Sequence, residues 1–196
     1  DIRRQPQKSA YLTMALGAGS VTPLQMAGAY AVFANGGYRV NPYIIDYVVD
    51  PEGNEIMRTK PQKAGDEANR VLDERTAYLM NDLLHGVATT GTAARTTNTL
   101  GRKDLHGKTG TTNQSFDAWF AGYTPDLVGI SWMGYDQPRS LGSNATGGQL
   151  AMPIWIEYMQ TALQGAPERT AGQLPDGLSK IDGNFYYDEF PRGKAF

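Results

Sequence analysis

The spacing of apolar and polar positions divides the chain into helices, strands and turns. Thr22-Pro23-Leu24-Gln25 sets a hydroxyl before a proline, with a glutamine three residues after the hydroxyl. That order satisfies the free amides of a helix start. The helix it predicts runs through Met26, Ala27, Tyr30, Ala31 and Ala34 and stops at Asn35-Gly36-Gly37, where glycine accepts a left-handed C-cap. Ile44 to Val49 and Ile56 to Arg58 flank the turn residues Asp50-Pro51-Glu52-Gly53-Asn54 and predict a hairpin. Asp73 caps a second helix in which Leu79, Met80, Leu83, Leu84 and Val87 form one buried stripe, ending near Gly91. Residues 92–106 are rich in threonine and carry Arg95, Arg102 and Lys103 without a clean period, as a surface loop would. Ala118 to Tyr123 and Leu127 to Met133 are nearly continuous in apolar or small residues around Thr124-Pro125-Asp126, which predicts a tight hairpin covered on both faces. Pro153 opens a helix with a bulky face of Ile154, Trp155, Tyr158, Met159, Ala162 and Leu163. Beyond Gly165 the chain reads as an irregular tail, and no internal repeat is visible.

Composition narrows the class. With 196 residues, 40% of them hydrophobic, the chain can bury one substantial core. Eighteen basic and twenty acidic residues give a net charge of -2, with no like-charge block to hold a phosphate backbone, so nucleic acid is not an expected partner. The absence of cysteine excludes disulfides, a thiolate nucleophile and a sulfur-ligated zinc site. The chain opens at Asp1 without an initiator methionine and runs directly into Arg3-Arg4-Gln5-Pro6-Gln7, which reads as the interior of a longer protein.

The chemistry concentrates in Gly107-Lys108-Thr109-Gly110-Thr111-Thr112-Asn113. In a strand, Thr109 and Thr111 share one face, and Lys108, Gly110 and Thr112 share the other. Two hydroxyls on one face can bind a carboxylate. Gly110 lets a second backbone come close, as a peptide ligand added along a strand edge requires. Gly107 leaves room for a neighbouring element to bring a polar partner to the Lys108 ammonium. The plain alternative is an ordinary edge strand bearing a solvated lysine.

Context outweighs that alternative. Lys108-Thr109-Gly110-Thr111-Thr112-Asn113, followed by Asp117-Ala118-Trp119-Phe120-Ala121-Gly122-Tyr123-Thr124-Pro125, resembles the third-motif strand and hairpin of class A, bifunctional penicillin-binding proteins. Pro23 to Gly37, Thr90-Gly91-Thr92-Ala93, Gly147-Gly148, Pro175-Asp176-Gly177-Leu178 and Ile181-Asp182 are similar to that family's other landmarks, in the same order. The resemblance implies an α/β (α+β) fold, an antiparallel sheet covered by helices. Residues 1–165 would form the C-terminal part of the transpeptidase domain and residues 166–196 a tail. It also implies roles. Lys108 would polarise the second-motif serine and neutralise the substrate carboxylate. Thr109, Gly110, Thr111 and Thr112 would line the substrate strand, and the Thr111 backbone N–H would be an oxyanion-hole donor. The implied partners are D-alanyl-D-alanine stem peptides of peptidoglycan, β-lactam antibiotics and the upstream half of the domain. The implied place is the periplasmic face of the bacterial inner membrane, and no metal or organic cofactor is implied.

Acyl transfer also needs a nucleophile and a base. Three positions after Ser9, Ser20, Ser115, Ser131, Ser140, Ser143 and Ser179 stand Leu12, Pro23, Ala118, Gly134, Ser143, Thr146 and Asp182, so no Ser-x-x-Lys is present. A Ser-x-Asn motif is absent too, and Ser115-Phe116-Asp117 follows the lysine strand where the family's second motif precedes it. The chain alone is therefore expected to be inert toward penicillin. A D,D-carboxypeptidase or β-lactamase of the same fold, and a non-catalytic binding module, are the alternative readings. His85 and His106 have no third ligand at metal spacing and read as structural, Trp119, Trp132 and Trp155 as core, and Asp117, Asn113 and Gln114 as turn-shaping.

Overall fold

The computed structural model describes residues 17, 19–65, 69–169 and 172–190. Helix α1 (Pro23–Ala34) is closed at its start by a reciprocal pair. The Thr22 hydroxyl accepts the Gln25 N–H at 3.2 Å, and the Gln25 side chain accepts the Thr22 N–H at 2.9 Å. It ends as expected at Gly36 and Gly37, whose φ values of 80° and 106° favour glycine. Strands β1 (Tyr47–Val49) and β2 (Glu55–Arg58) form the first hairpin, shorter than the apolar run because Ile44 to Asp46 stay outside the ladder. Helix α2 (Glu74–Thr89) is capped by the Asp73 carboxylate, which accepts the Thr76 N–H. Its buried stripe is Ala77, Leu84 and Ala88, and Leu83, expected inside, is 63% exposed.

Residues 92–106 are not a loop throughout. They contain helix α3 (Ala94–Leu100), whose start at Ala93 has no side-chain cap. A bond to α2 holds it instead. Thr97 donates to the Ala88 carbonyl at 2.9 Å, while Thr96 donates locally to the Ala93 carbonyl at 2.8 Å, so a threonine that argues against a helix fastens it to the end of α2.

Strands β3 (His106–Thr111), β4 (Ala118–Thr124) and β5 (Leu127–Met133) form the main sheet in the order β3-β4-β5, antiparallel throughout. The β4–β5 turn is as expected, with the Thr124 hydroxyl accepting the Asp126 and Leu127 N–H groups. Register aligns Gly107, Gly122 and Gly129 across the three strands, which leaves a trough on one face. Trp155 of helix α4 (Met152–Ala162) lies in it. Its indole N–H reaches the Gly129 and Gly122 carbonyls at 3.0 and 3.3 Å, and its ring meets Phe120 edge-on. Met152, Trp155, Ile156, Met159 and Leu163 are the buried side of α4. Ile154 and Tyr158, expected on that side, are 46% and 56% exposed, because they lie on the neighbouring stripe one residue earlier. The helical path begins before Pro153, in a wide π-type turn over Gly147–Ala151 capped by Thr146.

The opposite face of the sheet packs on α1 and α2. Tyr123 meets the Tyr30 ring and donates to Asn81, which in turn donates to the Phe33 carbonyl. The segment expected to be irregular contains a hairpin, β6 (Leu178–Ile181) and β7 (Asn184–Tyr187), around Asp182-Gly183 with φ of 51° and 81°. An aspartate-glycine pair is a strong hairpin signal because both positions need left-handed φ. The hairpin rests on α2 through Tyr78–Phe185 and Arg75–Glu189. Among the described residues no helix is long and apolar enough to cross a membrane.

Candidate active site

Strand β3 lies at the sheet edge, paired on one side with β4 and with no strand on the other among the described residues. Its halves differ. His106 and Gly107 are buried, while Lys108 and Thr111 are exposed and Thr109 and Gly110 half-exposed. Helix α2 covers the first half, where the His85 ring stands 5.5 Å from the His106 ring. The second half is open.

Register fixes what that open half presents. Thr112 donates its N–H to the Asp117 carbonyl at 3.1 Å, continuing the β3–β4 ladder beyond Thr111↔Ala118. In an antiparallel ladder, hydrogen-bonded and non-hydrogen-bonded pairs alternate. Lys108, Gly110 and Thr112 therefore turn their backbone groups toward β4, and Thr109 and Thr111 turn their N–H and C=O groups to the free edge. The side chains divide in the same rhythm. Thr109 and Thr111 share the face of Phe120, and Lys108 and Gly110 share that of Trp119 and Ala121.

Each hydroxyl has a holder. Thr109 Oγ1 lies 3.3 Å from Thr92 Oγ1, and Thr111 Oγ1 accepts the Gly147 N–H at 3.0 Å. Lys108 Nζ donates to the Thr109 carbonyl at 2.9 Å, which keeps the ammonium along the edge. Gly107 gives that ammonium no extra room. A Cβ there would stand 2.8 Å from the Phe120 ring and 3.0 Å from the Ala121 carbonyl, on the face opposite Lys108. A Cβ at Gly110 would stand 3.2 Å from Trp119 Cβ, so the bare side of Gly110 faces that side chain.

The remaining candidates are accounted for structurally. Asp117 accepts the Trp132 indole N–H at 2.9 Å, and its own N–H bonds the Thr112 hydroxyl at 2.8 Å. Asn113, Gln114 and Ser115 make the tight turn after β3, in which Gln114 and Ser115 hold φ of 61° and 54°. Arg95 is exposed on α3. Arg102 faces away from the open edge, in a bidentate pair with the buried Asp104. Burial alone would raise the Asp104 carboxyl, but Arg102 and the Arg169 N–H hold it below the usual range. His106 stacks flat on Tyr123, its Nδ1 3.2 Å from the Asp104 carbonyl. Burial, then the nearby His85, push it down to about 4. Trp155 is core, as expected, and Trp132 is 38% exposed at the sheet end.

The sequence marked Thr92 and Gly147 as landmarks without giving them work. The available signal was the pair Gly147-Gly148, since adjacent glycines before a helix indicate close backbone approach.

Comparison with known proteins agrees with this layout. The family model described as penicillin binding protein transpeptidase domain matches residues 3–160. Penicillin-binding protein 1A of Neisseria lactamica is 46% identical over 178 residues, 91% of this chain and 22% of that protein. The crystal structure of penicillin-binding protein 1A from Haemophilus influenzae superposes with a TM-score of 0.86 at 32% identity, over 97% of this chain and 35% of that one. Penicillin-binding protein A from M. tuberculosis, solved as an imipenem acyl-enzyme complex, matches with a TM-score of 0.55 at 26% identity, over 74% of this chain and 32% of that one. The chain thus spans about a fifth of the Neisseria lactamica protein and about a third of each of these two solved chains. By sequence, fold and the order of its landmarks, it belongs to the penicillin-binding protein transpeptidase family, on the class A side.

Proposed function

We propose that this chain supplies the substrate-binding strand of a serine D,D-transpeptidase that cross-links peptidoglycan stem peptides. The observation that carries the reading is the open half of β3. There the outward amide of Thr111, the hydroxyls of Thr109 and Thr111 and the Lys108 ammonium lie along one free edge.

A D-alanyl-D-alanine terminus laid along that edge meets chemistry that fits it. Its carboxylate takes charge-assisted hydrogen bonds from the hydroxyls and the ammonium, about twice as strong as neutral ones. The serine of a separate segment attacks the penultimate carbonyl and passes its proton to a base. The Thr111 N–H stabilises the resulting oxyanion, an interaction of about 3 to 4 kcal/mol in comparable sites. The C–N bond breaks, D-alanine leaves with a proton on its nitrogen, and an amine of a second stem takes the acyl group. Gly110 and Thr112 complete the strand against which the peptide lies. The parent protein is membrane-anchored, with this part on the periplasmic side, and β-lactams acylate the same serine. Residues 1–165 belong to the transpeptidase domain and 166–196 form an appendage to it.

The test is labelling with a fluorescent penicillin. The full-length protein is expected to take the label covalently, Lys108→Ala to lose it by a hundredfold or more, and the isolated 196-residue chain to stay dark. Label on the isolated chain would refute the assignment of the nucleophile to another segment. An unimpaired Lys108→Ala protein would refute the role of the strand.

A further inference from the structure

Thr109 and Thr111 are held differently. A hydroxyl has one hydrogen to give and two lone pairs to accept with. The partner of Thr109 is another hydroxyl, Thr92, and either can be the donor. The partner of Thr111 is a backbone N–H, which cannot accept. The Thr111 hydrogen must therefore point away from Gly147, and Thr111 lies in the open half of the strand.

What holds the Gly147 N–H there is contact of main chain with main chain. A Cβ at Gly147 would stand 2.2 Å from the Trp119 carbonyl oxygen and 2.4 Å from that of Gly110, so any other residue must lift the turn off the sheet. Gly148 is under no such constraint, since a Cβ there would find Thr109 Cγ2 at 3.7 Å. Thr146 caps the turn, its hydroxyl accepting the Gln149 N–H at 3.3 Å.

We infer that Gly147 is a positioning residue that turns the Thr111 hydrogen toward the open side of the strand, and so sharpens selection for ligands ending in a free carboxylate over those whose carboxyl is esterified. The inference rests on the transpeptidase reading above, which supplies the ligand. It adds a residue outside the lysine strand as a determinant of specificity.

The experiment compares acylation of the full-length protein by a fluorescent penicillin and by its carboxyl methyl ester. Gly147→Ala is expected to slow the free acid about tenfold and leave the ester within twofold, whereas Gly148→Ala leaves both unchanged. In a Thr111→Val background, Gly147→Ala is expected to add nothing further. Equal losses with both probes, or a further loss in the Thr111→Val background, would overturn the inference. Thermal melting checks the fold of Gly147→Ala. If that variant does not fold, Thr146→Val, which loosens the same turn, is expected to lower the acid-to-ester ratio at least threefold, and an unchanged ratio overturns the inference. Failure of the unmutated protein to react with the free acid would instead overturn the transpeptidase reading.

Discussion

Two residues before the exposed lysine, His106 is buried and neutral, stacked on Tyr123 and close to His85. Its side chain protonates in the unfolded chain near pH 6.5 and in the folded one only near 4. The folded state therefore binds fewer protons, and the stability due to this group is complete above 6.5 and declines as the pH falls toward 4. At about 1.4 kcal/mol per unit, the loss is on the order of 3 kcal/mol. Thermal melts between pH 7 and 4 should show it, and His106→Gln should flatten the profile in that window. A slope unchanged by the substitution would assign the acid sensitivity to other groups. The sequence left His106 as a structural residue, which it is. Its burial was not legible, because the cover comes from α2 and from Tyr123, seventeen positions later.

At the scale of elements, glycine has opposite meanings in the sheet and in the helix. Gly129 lies beneath Trp155, where a Cβ would stand 2.7 Å from the ring, while Gly86, inside α2, has nothing within 4 Å. Gly129→Ala is expected to destabilise by about 1 to 3 kcal/mol through overpacking. Gly86→Ala is expected to stabilise by about 0.5 to 1 kcal/mol by removing helix-breaking freedom. Denaturant titration of the two variants should move the midpoint in opposite directions, and a common sign would contradict the packing described for Trp155. The elements themselves were largely readable. The capping box of α1, the proline turn between β4 and β5 and the alternation along β3 are local signals, and the structure follows them. What failed were the decisions that depend on a neighbour. Helix α3 is fastened by Thr97, which bonds across to the Ala88 carbonyl of α2, and the buried stripe of α4 was chosen by the glycine trough it fills. The β6–β7 hairpin is a different failure, since its Asp182-Gly183 signal was local and went unused.

Across the whole molecule, one buried ion pair ties distant segments together. Arg102 makes two bonds to Asp104 and one each to the Ala166 and Pro167 carbonyls, and the Arg169 N–H returns to Asp104. The chain leaving α4 is thus stitched to the segment that enters β3. With 3% of its side chain exposed, Asp104 has little water to replace a lost partner. Arg102→Ala should cost about 3 to 5 kcal/mol, whereas Arg102→Ala with Asp104→Ala should recover part of it. A fully additive double variant in thermal melts would show that the two residues are not coupled. Helix α1 has the reverse character. It carries no charged residue along Pro23–Ala34, yet no residue of it is fully buried, and Leu24 is among the exposed ones. Water wets the outward flank of α1 in the folded chain much as it does in the unfolded one, so that flank adds little to the heat-capacity increment of melting and little to the force that assembles the core. The helix is kept in shape by its hydroxyl-and-amide cap and by the flank against Tyr123, a passenger on the sheet as much as a support for it.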